Sequence, residues 1–408
     1  MSDYAHGTLR DALKGLDTSG DGRHIDADLG TLAGEGSQQR VSTPALAHPA
    51  PQVVAMAPAD AIEDPQEGPS YYGLPVLKEP VWKWYIPAYF YVGGVAGASA
   101  ALGAAAQLAT RGESPGLFRR KVPTGEHRLV GRCRMIATAG SGISAALLIA
   151  DLGRPARFIN MLRVFRPSSP MNVGTWFLSA FGGCCAASTL PHLFSSQPWQ
   201  RRVSDAAALG AGVMGLPLCT YTGVLIANTA VPIWQGTRRT LPVLFGASGA
   251  AGAASLLELW PPGGEGSRIV HRFGLAGKAL ELALTLAFER EAAQVPRVAR
   301  PLRTGVSSAM WRASQALSVA GLAASALSKQ PSVRRAAGLL GSLGALSLRF
   351  AIIQAGRASA RDPHATFDQQ RAGRGAGDVV KERAGTSAVE RVDRGVGAGL
   401  EQAGGPHA

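Results

Sequence analysis

Residues 85–109 read YIPAYFYVGGVAGASAALGAAAQLA, a run of 25 residues without a charged side chain. At about 1.5 Å per residue, a helix of this length crosses a hydrocarbon core of about 30 Å. Trp82, Trp84 and Tyr85 stand at its start, where aromatic rings anchor membrane helices at the interface with water. The run therefore predicts a transmembrane helix.

Seven more apolar runs follow, separated by short polar or basic connections: 132–150, 173–194, 206–234, 240–257, 269–288, 309–327 and 336–354. Pro217 and Pro232 lie inside the run 206–234, so a kink and an early exit are expected there. Together the runs predict an all-α integral membrane protein, a bundle of about eight transmembrane helices that crosses the cell membrane repeatedly.

The two ends of the chain differ from its middle. Residues 1–70 are polar and rich in Gly, Pro and Ser, and residues 357–408 are charged and rich in Gly. Both segments are predicted to be disordered tails, and they flank a membrane domain at 71–356. The N-terminus shows no basic patch leading into an apolar stretch, so no signal peptide is expected.

Composition supports the same class of protein. Only 17% of residues are charged and 51 are Gly, which suits membrane helices whose small residues allow backbones to approach closely. Gly93, Gly97 and Ala101 are four apart and predict such a packing face. The net charge of +13 comes largely from Arg residues between the runs, so nucleic-acid binding is not expected.

The number and charge of the connections predict a topology. An even number of spans puts both tails on one side of the membrane. The connection 111–134 is the most basic short one, so the positive-inside rule places it in the cytoplasm and the termini outside.

The connection between the second and third runs carries the densest polar information. It contains Asp151, Arg154 and three further Arg residues, with several Pro residues that stiffen it. Asp151 is followed at once by Leu-Gly-Arg-Pro, which predicts a tight turn in which Asp151 and Arg154 pair. An ordinary surface loop with interfacial arginines is the alternative interpretation.

The sixth run, 269–288, is unusual because it contains ionisable side chains. Charged groups inside a membrane helix are expensive and usually face a partner or a water-filled cavity. Lys278 and Glu281 are three apart and are predicted to pair on one helix face, which His271 shares. The three residues are either part of a proton path or a self-neutralising group near an interface.

Metal and haem chemistry is not indicated. The four cysteines form no CxxC pair, so neither an iron–sulfur cluster nor a zinc site is expected. Only two His residues fall in or near the runs, and a haem subunit needs paired axial ligands. The chain is therefore predicted to hold no metal, no haem and no cluster.

Three stretches carry a resemblance to a known family: DLGRPARFINMLRVFRPSSPMNVGTWFLSAFG at 151–182, WKWYIPAYFYVGGVAGASAALG at 82–103 and YTGVLIANTAVPIW at 221–234. They closely resemble the NrfD-like family, which includes the membrane subunit of polysulfide reductase. The similarity covers residues 71–235, and the helix count extends it to about 356. The long N-terminal tail and the polar sixth run depart from the family pattern.

The resemblance implies a membrane anchor that binds a quinone or quinol and has no catalytic site of its own. Such subunits pass electrons between the quinone pool and a ferredoxin-like iron–sulfur subunit, which connects to a molybdopterin catalytic subunit. Tyr221 is then the expected hydrogen-bond donor to quinone, with Asp151 exchanging protons, Arg154 holding the charge of Asp151, and Tyr89 in the same cavity. A structural hydrogen bond from Tyr221 to another helix is the alternative.

A transporter that uses the charged sixth helix is the main alternative function, although no repeat between the halves supports it. A purely structural anchor that has lost quinone binding is another.

If the fourth helix exits at Pro232, Tyr221 lies about 16 Å below that exit at 1.5 Å per residue, which is too deep for contact with Asp151. An earlier helix end at 228–232 would shorten the gap.

Overall fold

Eight long helices account for most of the protein in a computed structural model that describes residues 74–112, 124–194 and 197–374. Each predicted run corresponds to one of them. They are α1 (Tyr85–Gly112), α2 (Thr124–Leu152), α4 (Pro170–Phe194), α5 (Pro198–Ala227), α7 (Leu241–Leu259), α8 (Gly264–Ala292), α10 (Gly305–Leu327) and α11 (Pro331–Arg361). Four short helices join or follow them: α3 (Pro155–Leu162), α6 (Pro232–Gly236), α9 (Pro296–Arg303) and α12 (Pro363–Arg371). The described residues contain helices and no strands, so the all-α prediction is confirmed.

Five of the long helices are apolar and long enough to cross a membrane: α1, α2, α5, α7 and α11. The protein is therefore a multi-pass membrane protein. Among the other three, α8 is the most polar, with Lys278 and Glu281 buried in its middle. That these three helices also cross the membrane remains a prediction.

The two ends of the bundle can be told apart by contacts between distant segments. At one end, Arg361 forms a two-pronged ion pair with Glu79, with Nε–Oε2 and Nη2–Oε1 distances of 2.8 Å. We call this the Glu79 end. At the other, which we call the Trp260 end, the Arg132 guanidinium lies 4.3 Å from the centre of the Trp260 ring. Because α1 begins and α11 ends at the Glu79 end, the described ends of the chain lie together, as an even number of spans predicts.

Close helix packing depends on glycine pairs in α1. A Cβ at Gly97 would lie 2.5 Å from the Gly215 carbonyl oxygen of α5. A Cβ at Gly94 would lie 3.7 Å from the Gly249 Cα of α7. Gly93 instead faces Ser144 of α2. Gly93 and Gly97 therefore pack against different helices and do not form one common packing face. Three helices can pack against α1 because small residues occur on several of its sides.

The helix of the fourth run ends before Pro232, as the early exit predicts. Helix α5 stops at Ala227, and Pro232 begins α6 at its first turn, where a missing N–H costs nothing. Trp234 of α6 is fully buried, and its Nε1 donates to the Ile352 carbonyl at 2.9 Å. Trp82 stacks on Trp234 with ring centroids 5.6 Å apart and is partly buried against the core, whereas Trp84 is exposed as an interfacial anchor should be.

Ordered structure continues past residue 356, the predicted end of the membrane domain. Helix α11 runs to Arg361, and α12 packs on the bundle with Ala365 and Gln369 buried. The tail prediction for 357–408 is therefore wrong for 357–371, because Arg357 and Arg361 bind the segment before α1. Residues 1–70 and 375–408 lie outside the described residues.

Candidate functional site

Tyr221 lies on α5 and packs against α4. A Cβ at Gly174 would lie 2.2 Å from Tyr221 Cε1 and 2.5 Å from Tyr221 Oη, so the phenol occupies the space that glycine leaves on α4. The side chain is buried, and the backbone of Gly174 interacts with Oη. The O–H itself has no acceptor within the described part of the chain. Burying a hydroxyl without a partner costs roughly 1–3 kcal/mol. A bound molecule that accepts a hydrogen bond from this O–H would therefore be stabilised.

Tyr89 belongs to the same region. It is buried on α1, close enough to Tyr221 for the two phenols to interact electrostatically. Two hydroxyls near these tyrosines, Ser144 Oγ and Thr222 Oγ1, are also buried and lack hydrogen-bond partners among the described residues. Tyr89 and Tyr221 are thus within electrostatic range of each other, and that they line one quinone cavity remains a prediction.

Tyr221 lies closer to the end of its helix than the apolar run 206–234 predicted. Tyr221 is six residues from the end of α5 at Ala227, which corresponds to about 9 Å at 1.5 Å per residue. Asp151 stands one residue before the end of α2, at the same Glu79 end of the bundle. Its side chain is half-buried, and the Lys83 ammonium interacts with it electrostatically.

The expected ion pair between Asp151 and Arg154 is absent from the described residues. Gly153 has φ of 70° and turns the chain sharply, and Arg154 then caps α3 with its side chain exposed. The tight turn was predicted correctly, but it directs the two side chains apart. Arg154 therefore lies on the surface, away from the two tyrosines.

The connection between α2 and α4, residues 153–169, is ordered by Asn172. The Asn172 Nδ2 donates to the carbonyls of Met161 at 2.6 Å and Val164 at 3.0 Å. Its Oδ1 accepts from the Arg166 N–H at 2.8 Å. One buried amide thus fixes the connection at three points, a role that the sequence pattern alone did not reveal.

That connection presents a mixed surface. Helix α3 has no buried residue, and the four arginines of the connection, at 154, 157, 163 and 166, are exposed. Ile159 and Phe165 are also more than half exposed, at 62% and 56%. This mixture of basic and apolar side chains is available for contact with a partner protein or with lipid headgroups.

Lys278 of α8 pairs with a residue other than the predicted Glu281. Lys278 Nζ lies 2.8 Å from Glu258 Oε2 of α7 and 3.0 Å from Ser325 Oγ of α10. Both side chains of the ion pair are almost completely buried. The predicted pair with Glu281 is therefore wrong, because a carboxylate on the neighbouring helix takes the Lys278 ammonium. The apolar run 240–257 ends one residue before Glu258, which hid this partner.

Glu281 belongs to a second buried group with Arg349 of α11. Its Oε1 accepts from Ser318 Oγ of α10 at 2.6 Å, and the carboxylate also interacts with the Ser248 hydroxyl of α7. Arg349 donates to the Phe245 carbonyl at 2.9 Å and lies 3.8 Å from the centre of the Phe245 ring. Its Nε and Nη1 lack hydrogen-bond partners, but the Arg349 and Glu281 charges attract each other.

His271 lies nearer the Trp260 end on the same helix. Glu258, Lys278 and Arg334 are the charged groups that interact with it. It is half-buried, and Nδ1 has no hydrogen-bond partner among the described residues. The shared face of His271, Lys278 and Glu281 thus points toward two buried charge groups rather than one.

Among the described residues, no three His, Cys, Asp or Glu side chains are grouped so that they could hold a metal ion. Cys133, Cys185 and Cys219 are buried and free, as expected of small apolar core residues. The predicted absence of haem and iron–sulfur clusters remains a prediction.

Comparisons with known proteins identify the family. The model of the polysulphide reductase NrfD family matches residues 76–359, which is more than half of the chain. No curated protein matches the chain. The family match includes α1, the 153–169 connection, the tyrosine pair and both buried charge groups, and the chain belongs to the polysulphide reductase NrfD family of membrane proteins.

Proposed function

We propose that this chain is the membrane anchor of a respiratory oxidoreductase complex and that it exchanges electrons with a quinone or quinol. The observation that carries the proposal is the buried Tyr221 phenol, whose O–H has no acceptor among the described residues. A quinone carbonyl is an acceptor that this O–H can serve. Family membership favours this function over that of a transporter.

The surroundings of Tyr221 suit a lipid-soluble substrate. Met171 and Trp176 of α4 and Val224 of α5 are exposed beside the helix pair that holds Tyr221. In a membrane these side chains face lipid, so a quinone headgroup can reach the tyrosines while its isoprenoid tail stays in the bilayer.

Each residue then has a separate role. Tyr221 donates to a quinone carbonyl, and Tyr89 lines the same site. Asp151, half-buried at the Glu79 end, supports proton exchange with water because a carboxylate can carry protons. Quinone supplies the redox chemistry, and the protein binds it, orients it and supplies protons.

The surface of residues 153–169 is the proposed docking site for a ferredoxin-like iron–sulfur subunit. Its arginines suit an acidic partner, and Ile159 and Phe165 supply apolar contact. This site lies at the Glu79 end, near the tyrosines, which keeps the electron path short. A molybdopterin catalytic subunit would then bind through the iron–sulfur subunit.

The change Tyr221→Phe tests the proposal in the assembled complex. Removing the phenol oxygen should cost about 1–3 kcal/mol of quinone interaction, roughly a five- to 150-fold loss in apparent affinity. Quinone-dependent electron transfer is the measurement. Thr110→Val, which removes a hydroxyl at the opposite end of α1 that bonds only within that helix, is the control and should leave affinity unchanged. If Tyr221→Phe assembles and turns over quinone normally, the phenol is structural and the assignment fails.

A further inference from the structure

The short helix α9, which joins α8 to α10, has one apolar and one basic face. Its buried residues are all apolar: Val298, Ala299, Pro301 and Leu302. Arg297, Arg300 and Arg303 recur at every third position, so they lie on the opposite face of the helix. Arg300 and Arg303 are exposed, and Arg297 is half-buried. An amphipathic helix with arginines on its outer face is typical of the interface between a membrane and water.

The level of α9 in the bundle is fixed by its contact with the end of α11. Arg297 Nε lies 2.6 Å from Asp362 Oδ2, and Asp362 directly follows the last residue of α11. Helix α11 is long and apolar enough to cross a membrane, so its end lies where the hydrocarbon core gives way to the headgroups. Helix α9 therefore lies at the depth of the lipid headgroups at the Glu79 end.

The basic face of α9 lines a groove of about 300 Å³. The residues around it are Pro296, Arg297, Arg300, Arg303 and Thr304. None of these side chains carries a carboxylate. The groove therefore attracts anions, and its lining offers no partner to the ammonium of a zwitterionic headgroup.

The two exposed arginines have no acidic partner within the protein. Arg300 and Arg303 form no ion pair among the described residues. Glu289, near the end of α8, instead accepts hydrogen bonds from Trp311 Nε1 and Gln315 Nε2, both at 2.6 Å. The guanidinium groups of Arg300 and Arg303 are therefore available to an external anion.

The start of α10 holds the end of α9 in place. Arg312 Nη2 donates to Ser308 Oγ at 2.7 Å and to the Arg303 carbonyl at 3.3 Å. Ser307 Oγ donates to the Pro301 carbonyl at 2.6 Å. Because these contacts order the backbone beneath the arginines, a ligand binds there with a smaller loss of conformational entropy. The exposed Arg312 side chain also adds positive charge beside the groove.

The groove borders a surface that suits acyl chains. Val306, two residues after Thr304, is 68% exposed, and Leu286 of α8 is 53% exposed. The planar guanidinium of arginine matches the geometry of phosphate oxygens. A molecule with an anionic phosphate head and apolar chains therefore fits both features, whereas inorganic phosphate or an acidic peptide would use only the basic one.

We propose that the groove of α9 binds the phosphate headgroup of an anionic phospholipid. Arg300 and Arg303 hold the phosphate, Arg312 contributes long-range attraction, and the acyl chains lie along the exposed apolar side chains of α8 and α10. The bound lipid keeps α9 at the level of the headgroups. This site is separate from the tyrosine pair and does not depend on the proposed quinone function.

A light-activated phosphatidylglycerol tests the proposal in the assembled complex, reconstituted in nanodiscs of phosphatidylcholine. Residues 296–312 should be labelled. Unlabelled phosphatidylglycerol should reduce this labelling, whereas more phosphatidylcholine or inorganic phosphate should not. Arg300→Gln combined with Arg303→Gln should weaken the apparent affinity for phosphatidylglycerol about 30-fold, which corresponds to about 1 kcal/mol for each cation at an anionic surface.

Arg201→Gln combined with Arg202→Gln is the matched control. It removes the same charge from two exposed arginines at the start of α5, at the opposite end of the bundle, and should leave the labelling of residues 296–312 unchanged. If the α9 double variant fails to assemble, Arg300→Gln alone carries the same test, with a loss of about fivefold.

Several results would overturn the lipid site. These are equal labelling of residues 296–312 with and without the arginines, equal competition by phosphatidylcholine, and displacement by inorganic phosphate alone. Crosslinking of α9 to a partner subunit without lipid labelling would make this surface a protein interface instead. Quinone affinity should be unchanged in the α9 variant, so the lipid site and the proposed function can fail separately.

Discussion

Gly174 has no side chain, and its absence leaves room for the Tyr221 ring. Because a Cβ there would lie 2.2 Å from Tyr221 Cε1, Gly174→Ala must displace the phenol, and quinone-dependent turnover should fall as it does for Tyr221→Phe. Gly183→Ala on the same helix is the control, since nothing lies within 4 Å of its Cβ. Equal quinone turnover in the two alanine variants would mean that the position of the phenol does not matter.

Single residues also show where sequence patterns reach their limit. The family resemblance points to the helices of Tyr89 and Tyr221, whose phenols interact electrostatically, and their shared role toward quinone remains a prediction. The Asp151–Arg154 pair was not correctly predicted, because the backbone turn at Gly153 decides where each side chain points. Pairing of Lys278 with Glu281 was reasonable from helical spacing, but the position of Glu258 on another helix depends on tertiary packing.

At the scale of one connecting element, Asn172 decides the shape of the proposed docking surface. Asn172→Ala removes three hydrogen bonds to residues 161–166 and should cost about 1–3 kcal/mol for each buried group left unpaired. Affinity for the iron–sulfur partner should decrease, as measured by titration of the purified subunits. Asn228→Ala, whose amide bonds only within its own helix end, is the control. Unchanged affinity in Asn172→Ala would place the docking site elsewhere.

Helix α8 allows a stability prediction that is independent of quinone. Lys278→Met leaves the Glu258 carboxylate buried without its cation, and breaking a buried pair in this way costs about 3–5 kcal/mol. The midpoint of thermal unfolding in detergent should decrease clearly. Arg268→Met, at an exposed pair on the same helix, should change it little. Adding Glu258→Gln to Lys278→Met should restore much of the loss, and failure to restore it would mean that the pair is not the source.

For the whole molecule, the arrangement of long helices follows from the apolar runs because only helices satisfy their backbone hydrogen bonds within lipid. The short helices α9 and α12, and the contacts of Arg357 and Arg361 with residues 79–82, depend on segments far apart in sequence. No local pattern predicts them. The same reason explains why the tail was predicted to begin too early, since its charged residues are partners of the segment before α1.

In the whole molecule, the two opposite ends of the bundle have different roles. The Glu79 end carries the tyrosine pair and the connection 153–169, and the buried charges lead toward the Trp260 end. The central claim is that quinone binds between α4 and α5, beside Tyr221 and Tyr89.

Photolabelling of the assembled complex with a light-activated quinone analogue, followed by mapping of the labelled peptides, tests this claim most directly. The account predicts label in Pro170–Phe194, Pro198–Ala227 or the first turns of Tyr85–Gly112, reduced by excess natural quinone. Label confined to α8, α10 and α11, or label that excess quinone does not reduce, would contradict it.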